Sequence, residues 1–144
     1  RDRSVSRGLG DVYKRQRYTR ADEKNVRKAD CLIVDCFGLL SSIYRYGEIA
    51  YIGGGFGVGI HNTLEAAVYG IPVIFGPKYQ KFQEAVQLLE AKGAFSVKDY
   101  EELKTLLDRM LTDEVFLRES GMNASNYVTG NAGATDKIMS MINF

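Results

Sequence analysis

Tyr51-Ile52-Gly53-Gly54-Gly55-Phe56-Gly57-Val58-Gly59-Ile60-His61-Asn62-Thr63-Leu64-Glu65-Ala66 is the stretch that decides the fold. An apolar run over 49–52 ends in a glycine-dense loop, and the loop opens onto a helical pattern near Thr63. Five of the fifteen glycines fall between positions 53 and 59. Glycine loses more backbone entropy on folding than any other residue, so this density implies positive φ or close approach of another group. A strand, a glycine turn and a helix start together favour anions, because free N–H groups and the positive end of the helix dipole face the turn. Neither common phosphate fingerprint fits. The pattern G-x-G-x-x-G fails at Val58 when started from Gly53 and at Ile60 when started from Gly55. The P-loop spacing fits Gly54 and Gly59, but Ile60-His61 follows where Lys-Ser/Thr belongs. Dinucleotide oxidoreductases and P-loop ATPases both lose ground.

Outward from this loop the chain alternates between strand and helix patterns. Before it, a polar helical stretch (21–28) leads to a first strand (31–35), then a short helix with Leu39, Leu40, Ile43 and Tyr44 on one face. The loop's own strand covers 49–53. After it, a helix (63–69) ends at Gly70, and a third strand (72–76) is broken by Gly76-Pro77. A helix over 80–92 carries the stripe Phe82, Ala85, Val86, Leu89, with Gly93 in the position of a C-terminal glycine cap. A short strand (94–97) precedes a helix that Asp99 caps, with Glu102 at capping-box spacing and Tyr100, Leu103, Leu106, Leu107 and Met110 on its inner face. Two further helices are expected, near 113–127 and 132–142. Strands separated by helices imply an α/β fold with a parallel sheet covered on both faces. Ligands of such sheets bind beyond the carboxyl ends of the strands, where residues 35–38, 53–61 and 76–78 would converge on one cleft.

Composition narrows the class further. The 144 residues are one domain's worth of chain, and 45% apolar and 26% charged content is ordinary for a globular domain. No apolar run approaches the roughly 18 residues that span a bilayer. The net charge of +1 is uneven: residues 1–28 carry ten Lys/Arg against four Asp/Glu, leaving nine against fourteen for the rest. The body of the chain is therefore acidic and gives no ground for nucleic-acid binding. Residues 1–16 have only three aliphatic side chains and no periodicity, and are set aside as a non-native or disordered tail. Cys31 and Cys36 flank an extended run and lie too far apart to bridge, so they read as buried, reduced thiols of a cytosolic protein. With one histidine and no Cys/His cluster, no metal site is expected.

A family signature now becomes visible. Asp35-x-x-Gly38, Gly53-Gly54, Gly59-Ile60-His61-Asn62-x-Leu64-Glu65-Ala66, Gly70-x-Pro72 and Phe75-Gly76-Pro77, with Phe82 and Gly133-Ala134-Thr135, fall in order and at family spacing. Over residues 17–142 the chain resembles the C-terminal half of 3-deoxy-D-manno-octulosonic acid (Kdo) transferases. The resemblance implies an inverting, metal-independent glycosyltransferase of the GT-B type, built from two Rossmann-like domains, that moves Kdo from CMP-Kdo to a lipid A precursor in lipopolysaccharide biosynthesis. It implies that residues 17–144 are the donor-binding half, with no cofactor and no catalytic residue of its own. The catalytic base, the lipid A precursor acceptor and the membrane contact would belong to the other half, at the cytoplasmic face of the bacterial inner membrane. The chain departs from the family pattern at Gly55 (usually Ser), Leu39 (often Glu), Ala66 (often Pro) and Lys81 (often Asn).

The donor-binding residues implied are Phe37, Gly38, Gly53, Gly54, Gly55, Gly59, Ile60, His61, Asn62, Glu65 and Lys78. In this scheme Glu65 takes the ribose hydroxyls, since a carboxylate accepts from two neighbouring hydroxyls. Taken by itself, however, Asn62-x-x-Glu65 is also a capping box, with Glu65 bonding back to the Asn62 N–H. His61 reads equally as a structural hydrogen bonder or as a contact to sugar or phosphate. Phe37-Gly38 would lie near the cytosine, or form a plain turn. Lys78 and Lys81 suit a phosphate or the Kdo carboxylate, with Arg17 a weaker candidate; one of the lysines is expected to be merely solvated. Half of a sugar-nucleotide epimerase of the same architecture and a non-catalytic nucleotide-binding module remain as alternatives.

Overall fold

The computed structural model describes residues 15–36 and 38–142. In chain order, β1 (Arg15–Arg17) leads through a 3-10 turn (Tyr18–Arg20) to α1 (Glu23–Val26), β2 (Cys31–Ile33), α2 (Leu40–Ile43) and a second 3-10 turn (Tyr44–Tyr46). Then follow β3 (Ala50–Ile52), α3 (Leu64–Ala67), β4 (Val73–Phe75), α4 (Gln83–Glu90), β5 (Ala94–Ser96), α5 (Tyr100–Thr112) and α6 (Glu114–Ile142). The chain divides into two compact units, Arg1–Leu40 and Ser41–Phe144. Among the described residues each unit has its own parallel sheet, β1-β2 in the first and β3-β4-β5 in the second. The single sheet expected from the strand pattern is thus two.

In the first unit β1 pairs with β2 from Arg15 opposite Cys31 to Arg17 opposite Ile33. The first strand therefore begins two residues inside the stretch set aside as a tail, of which residues 1–14 lie outside the described region. Arg-Gln-Arg offers no apolar pattern, but a backbone ladder needs none. β2 stops at Ile33, short of Asp35. The Asp35 carboxylate instead accepts from the Thr19 hydroxyl (2.6 Å) and the Thr19 N–H (3.0 Å). These bonds favour its charged form and lower its pKa. α1 is shorter than the pattern 21–28 suggests, with Asp22 Oδ1 accepting from the Asn25 N–H at 2.7 Å. Cys31 and Cys36 are free thiols, half-buried rather than fully enclosed.

The second unit is organised by β4. Its three side chains are completely buried, and they alternate between two cores. Val73 and Phe75 join Ala50, Ile52, Ala66, Ala67, Ala85, Leu88 and Ala124 beneath α3, α4 and α6. Ile74 faces the other way, with Val97 and Met110 and the half-buried Leu103, Leu106, Leu107 and Phe116. A strand apolar on both faces with helices on each side is the burial expected of a parallel sheet. The registers, Ala50 opposite Val73 and Val73 opposite Ala94, keep all three strands in step.

Several boundaries differ from the pattern, each for a physical reason. The inner face of α4 is Ala85 and Leu88, with Leu89 partly covered; Phe82 precedes the helix and is 37% exposed. Tyr100 is 68% exposed, although the rest of its expected face packs inward. Asp99 caps α5 as the spacing implies, its Oδ1 accepting from the Glu102 N–H at 2.9 Å, while Glu102 returns to the Lys98 N–H. The two terminal helices are one 29-residue helix, α6. Glycine in a helix interior costs only about 1 kcal/mol relative to alanine, too little by itself to stop a ladder already running.

The turn after α4 reverses an expectation about glycine. Lys92 takes the left-handed conformation (φ +61°), while its N–H reaches the Leu89 carbonyl (3.1 Å) and the Gly93 N–H reaches that of Leu88 (3.0 Å). This is a Schellman motif with lysine where glycine is favoured. Gly93 is needed for space instead: a Cβ there would lie 2.6 Å from the Ala124 backbone in α6. Gly93→Ala should therefore cost well over about 2 kcal/mol, whereas Lys92→Gly should stabilise by about 1 kcal/mol through relief of the left-handed strain. Urea denaturation of both variants measures this, and equal effects would contradict it. In the first unit, Thr19→Val removes the hydroxyl bond but keeps the backbone N–H, so it should raise the Asp35 pKa only part of the way to the ordinary carboxylate range, as read from its carboxyl NMR titration. Because the folded-state pKa is depressed, the Thr19–Asp35 bonds add stability above the ordinary carboxylate pKa, and that contribution fades as pH falls through the lowered value.

Candidate functional site

The loops after β3 and β4 are locked together, backbone to backbone. A Cβ on Gly55 would stand 2.5 Å from the Gly76 Cα, and one on Gly76 would stand 2.7 Å from the Gly55 carbonyl carbon and 2.8 Å from the Phe56 ring. The Lys78 N–H donates to the Gly55 carbonyl at 2.9 Å, fixing the second loop onto the first. Gly55 is thus a packing requirement of this chain. Gly54 (φ +93°) would drive a Cβ into Gly59, and its carbonyl accepts from the N–H groups of both Gly57 and Gly59 at 3.0 Å. The His61 N–H returns to the Gly53 carbonyl at 3.1 Å. Gly53 alone in the loop's first half has room, its nearest neighbour being the His61 ring at 3.9 Å.

The helix that follows corrects the electrostatic expectation. α3 has only four residues, a single turn, so it supplies little dipole to an anion. Its first N–H, that of Leu64, is served by Asn62, whose Oδ1 accepts from it at 2.9 Å, while the N-cap Thr63 makes no side-chain capping bond. The reciprocal capping bond is not made: no hydrogen bond joins Glu65 to the Asn62 N–H among the described residues. Glu65 is half-buried and stands near enough to Tyr44 to oppose ionisation of the phenol, whose pKa burial raises first and Glu65 second.

Two recesses open beside these loops. One, of about 330 Å³, is lined by Ile60, His61, Asn62, Thr63, Leu64, Phe82 and Glu84. The other, of about 260 Å³, is lined by Gly57, Val58, Lys78, Gln80, Lys81 and Phe82. His61, Asn62, Lys78 and Lys81 are exposed, whereas the Ile60 side chain belongs to the core, so only its backbone can serve a ligand. Gly38 has a left-handed φ of +88° with open space around its Cβ position and belongs to the first unit; Phe37 lies outside the described residues. Two of the three loops expected at the cleft, 53–61 and 76–78, are thus brought together within the second unit. Arg17 lies in β1. The sequence reading did not single out Glu84, in the first turn of α4, and assigned Phe82, the extended residue before it, to the core.

Comparison with known proteins agrees with the signature. No family profile matches the chain. A 3-deoxy-D-manno-octulosonic acid transferase of Aquifex aeolicus is 44% identical over 87 residues, covering 59% of this chain and 25% of that protein. The enzyme of the same name from Rickettsia bellii is 33% identical over 116 residues, covering 78% of this chain and 28% of that protein. The chain therefore spans about a quarter of the length of the curated relatives it matches. Among solved structures, the C-terminal CMP-Kdo binding domain of WaaA from Acinetobacter baumannii aligns with a TM-score of 0.76 at 18% identity, over 88% of this chain and 67% of that one. The fold is that of this domain, a Rossmann-like half of the GT-B type.

The loop lock is testable without a ligand. Gly55→Ala should destabilise the protein by several kcal/mol, because the neighbour in the way is backbone that cannot give. Gly53→Ala should cost about 1 kcal/mol or less, since only ordinary contact awaits its methyl group. Thermal melts of the two variants decide the matter, and a tolerated Gly55→Ala would show that the two loops are not locked.

Proposed function

We propose that this chain, a relative of the Kdo transferases by sequence, binds the CMP-Kdo donor in an inverting, metal-independent transferase that adds Kdo to a lipid A precursor. The names of the relatives and of the structural neighbour support the donor. Within the chain, one observation carries the reading: the half-buried Glu65 carboxylate makes no capping bond back to the Asn62 N–H, which leaves it available to the ribose hydroxyls. The glycine loop presents the backbone, His61 stands at its exit, and Lys78 supplies positive charge from the adjoining loop. No catalytic residue is assigned here. The general base and the acceptor surface belong to the rest of the protein, which works at the cytoplasmic face of the bacterial inner membrane. Among the described residues no helix is long and apolar enough to cross a membrane.

The experiment is a pair of titrations with CMP. Glu65→Gln keeps the shape but loses the charge and one acceptor oxygen; hydrogen bonds to a charged group are worth about 1.5–3 kcal/mol, so affinity should fall roughly ten- to a hundredfold. Fold stability should change by about 0.5 kcal/mol or less. Asn62→Ala should show the opposite balance, losing about 1 kcal/mol of stability with its cap and weakening binding only through a looser loop. Wild-type affinity in Glu65→Gln would remove the ribose role. Preference for UMP over CMP would point to a sugar-nucleotide epimerase of the same architecture instead.

A further inference from the structure

Phe82 is the one residue that lines both recesses beside the glycine loop. Its position is set by Gly59, where a Cβ would come within 3.0 Å of the Phe82 Cε2 and 3.3 Å of its Cζ. The ring therefore rests against the bare backbone of the loop and separates two environments of opposite character. On one side stand Lys78 and Lys81 with the Gln80 amide; on the other stand Glu84, His61 and Asn62. None of the ion pairs among the described residues uses Lys78, Lys81 or Glu84, so these charges face the recesses without a protein counter-ion.

A sugar acid is polar in the same sense. One end is a carboxylate, which a pair of ammonium groups attracts and a glutamate repels; the other end is a row of hydroxyls, which a carboxylate accepts from in pairs. We propose that Phe82 divides the donor-sugar pocket into two subsites, Lys78 and Lys81 holding the sugar's carboxylate on one face of the ring and Glu84 taking its hydroxyls on the other. The inference rests on CMP-Kdo being the donor and adds Glu84 and Lys81 as determinants of sugar specificity. It also orients the sugar, because the reversed pose would place carboxylate against Glu84.

The test compares dissociation constants for CMP and CMP-Kdo on the whole chain, since the ratio of the two isolates the sugar. The wild type should prefer CMP-Kdo. Glu84→Gln should reduce that preference roughly tenfold by removing a charged acceptor, and Lys81→Met should reduce it to a similar extent. Lys81→Arg should retain most of it, and rising salt should erode the carboxylate share of the preference in the wild type. Both positions are exposed, and a circular-dichroism melt confirms that each variant is folded. An unchanged ratio in Glu84→Gln would overturn the hydroxyl subsite, and an unchanged ratio in Lys81→Met the carboxylate subsite. Absence of CMP binding by the wild type would instead overturn the donor reading itself, which separates the two failures.

Discussion

The contact between Gly55 and Gly76 is the constraint on which the site depends. Two backbones can approach this closely only when neither carries a Cβ, and here the two glycines come from loops on adjacent strands of one sheet. The Phe56 ring closes over the same point, and the Lys78 N–H is tied to the Gly55 carbonyl. Everything beyond β4 at this edge inherits its position from that contact: Lys78 and Lys81 follow Gly76 by a few residues, and Phe82 then reaches back to Gly59. The buried strand behind it, Val73 to Phe75, anchors the arrangement in both cores at once.

This lock changes the chemistry that a glycine-rich loop suggests. Such loops bind phosphate when their N–H groups point outward. Here the N–H groups of Gly57, Gly59 and His61 turn inward onto the carbonyls of Gly54 and Gly53, and α3 is a single turn. The loop spends much of its donor capacity on its own shape. Charge for an anionic ligand then has to come from side chains, and the lysines beyond β4 are the nearest supply.

How much of this was legible depended on whether side chains or backbone carried the information. β4 announces itself because burial on both faces demands apolar side chains, and β3 and β5, buried mainly on one face, still carry apolar runs that are written in the sequence. β1 is Arg-Gln-Arg, held by a backbone ladder, and left no trace in hydropathy. The same distinction explains the glycines. Their density in residues 53–59 correctly marked close approach, but the partner proved to be Gly76 and Phe82. Gly93 looked like a helix cap, yet Lys92 does the capping and Gly93 makes room for α6, a contact with a residue 31 positions on that no local pattern contains. Glu84 escaped notice for a related reason. Its role is given by Phe82 standing outside the core, and a phenylalanine next to a helical stripe reads as part of the stripe.

Glu65 shows where spacing alone misleads. Asn-x-x-Glu is a capping box by sequence, and a box would bind the carboxylate to the backbone. The structure resolves the competition at the Asn62 side chain, which reaches the Leu64 N–H two residues on. That bond serves one N–H of the helix start, and Glu65 returns none to the Asn62 N–H. Glu65 is half-buried in α3, close enough to Tyr44 for its charge to help raise the pKa of the phenol. The role proposed for Glu65, accepting from the paired hydroxyls of a ligand, therefore competes with no bond from Glu65 to the Asn62 N–H.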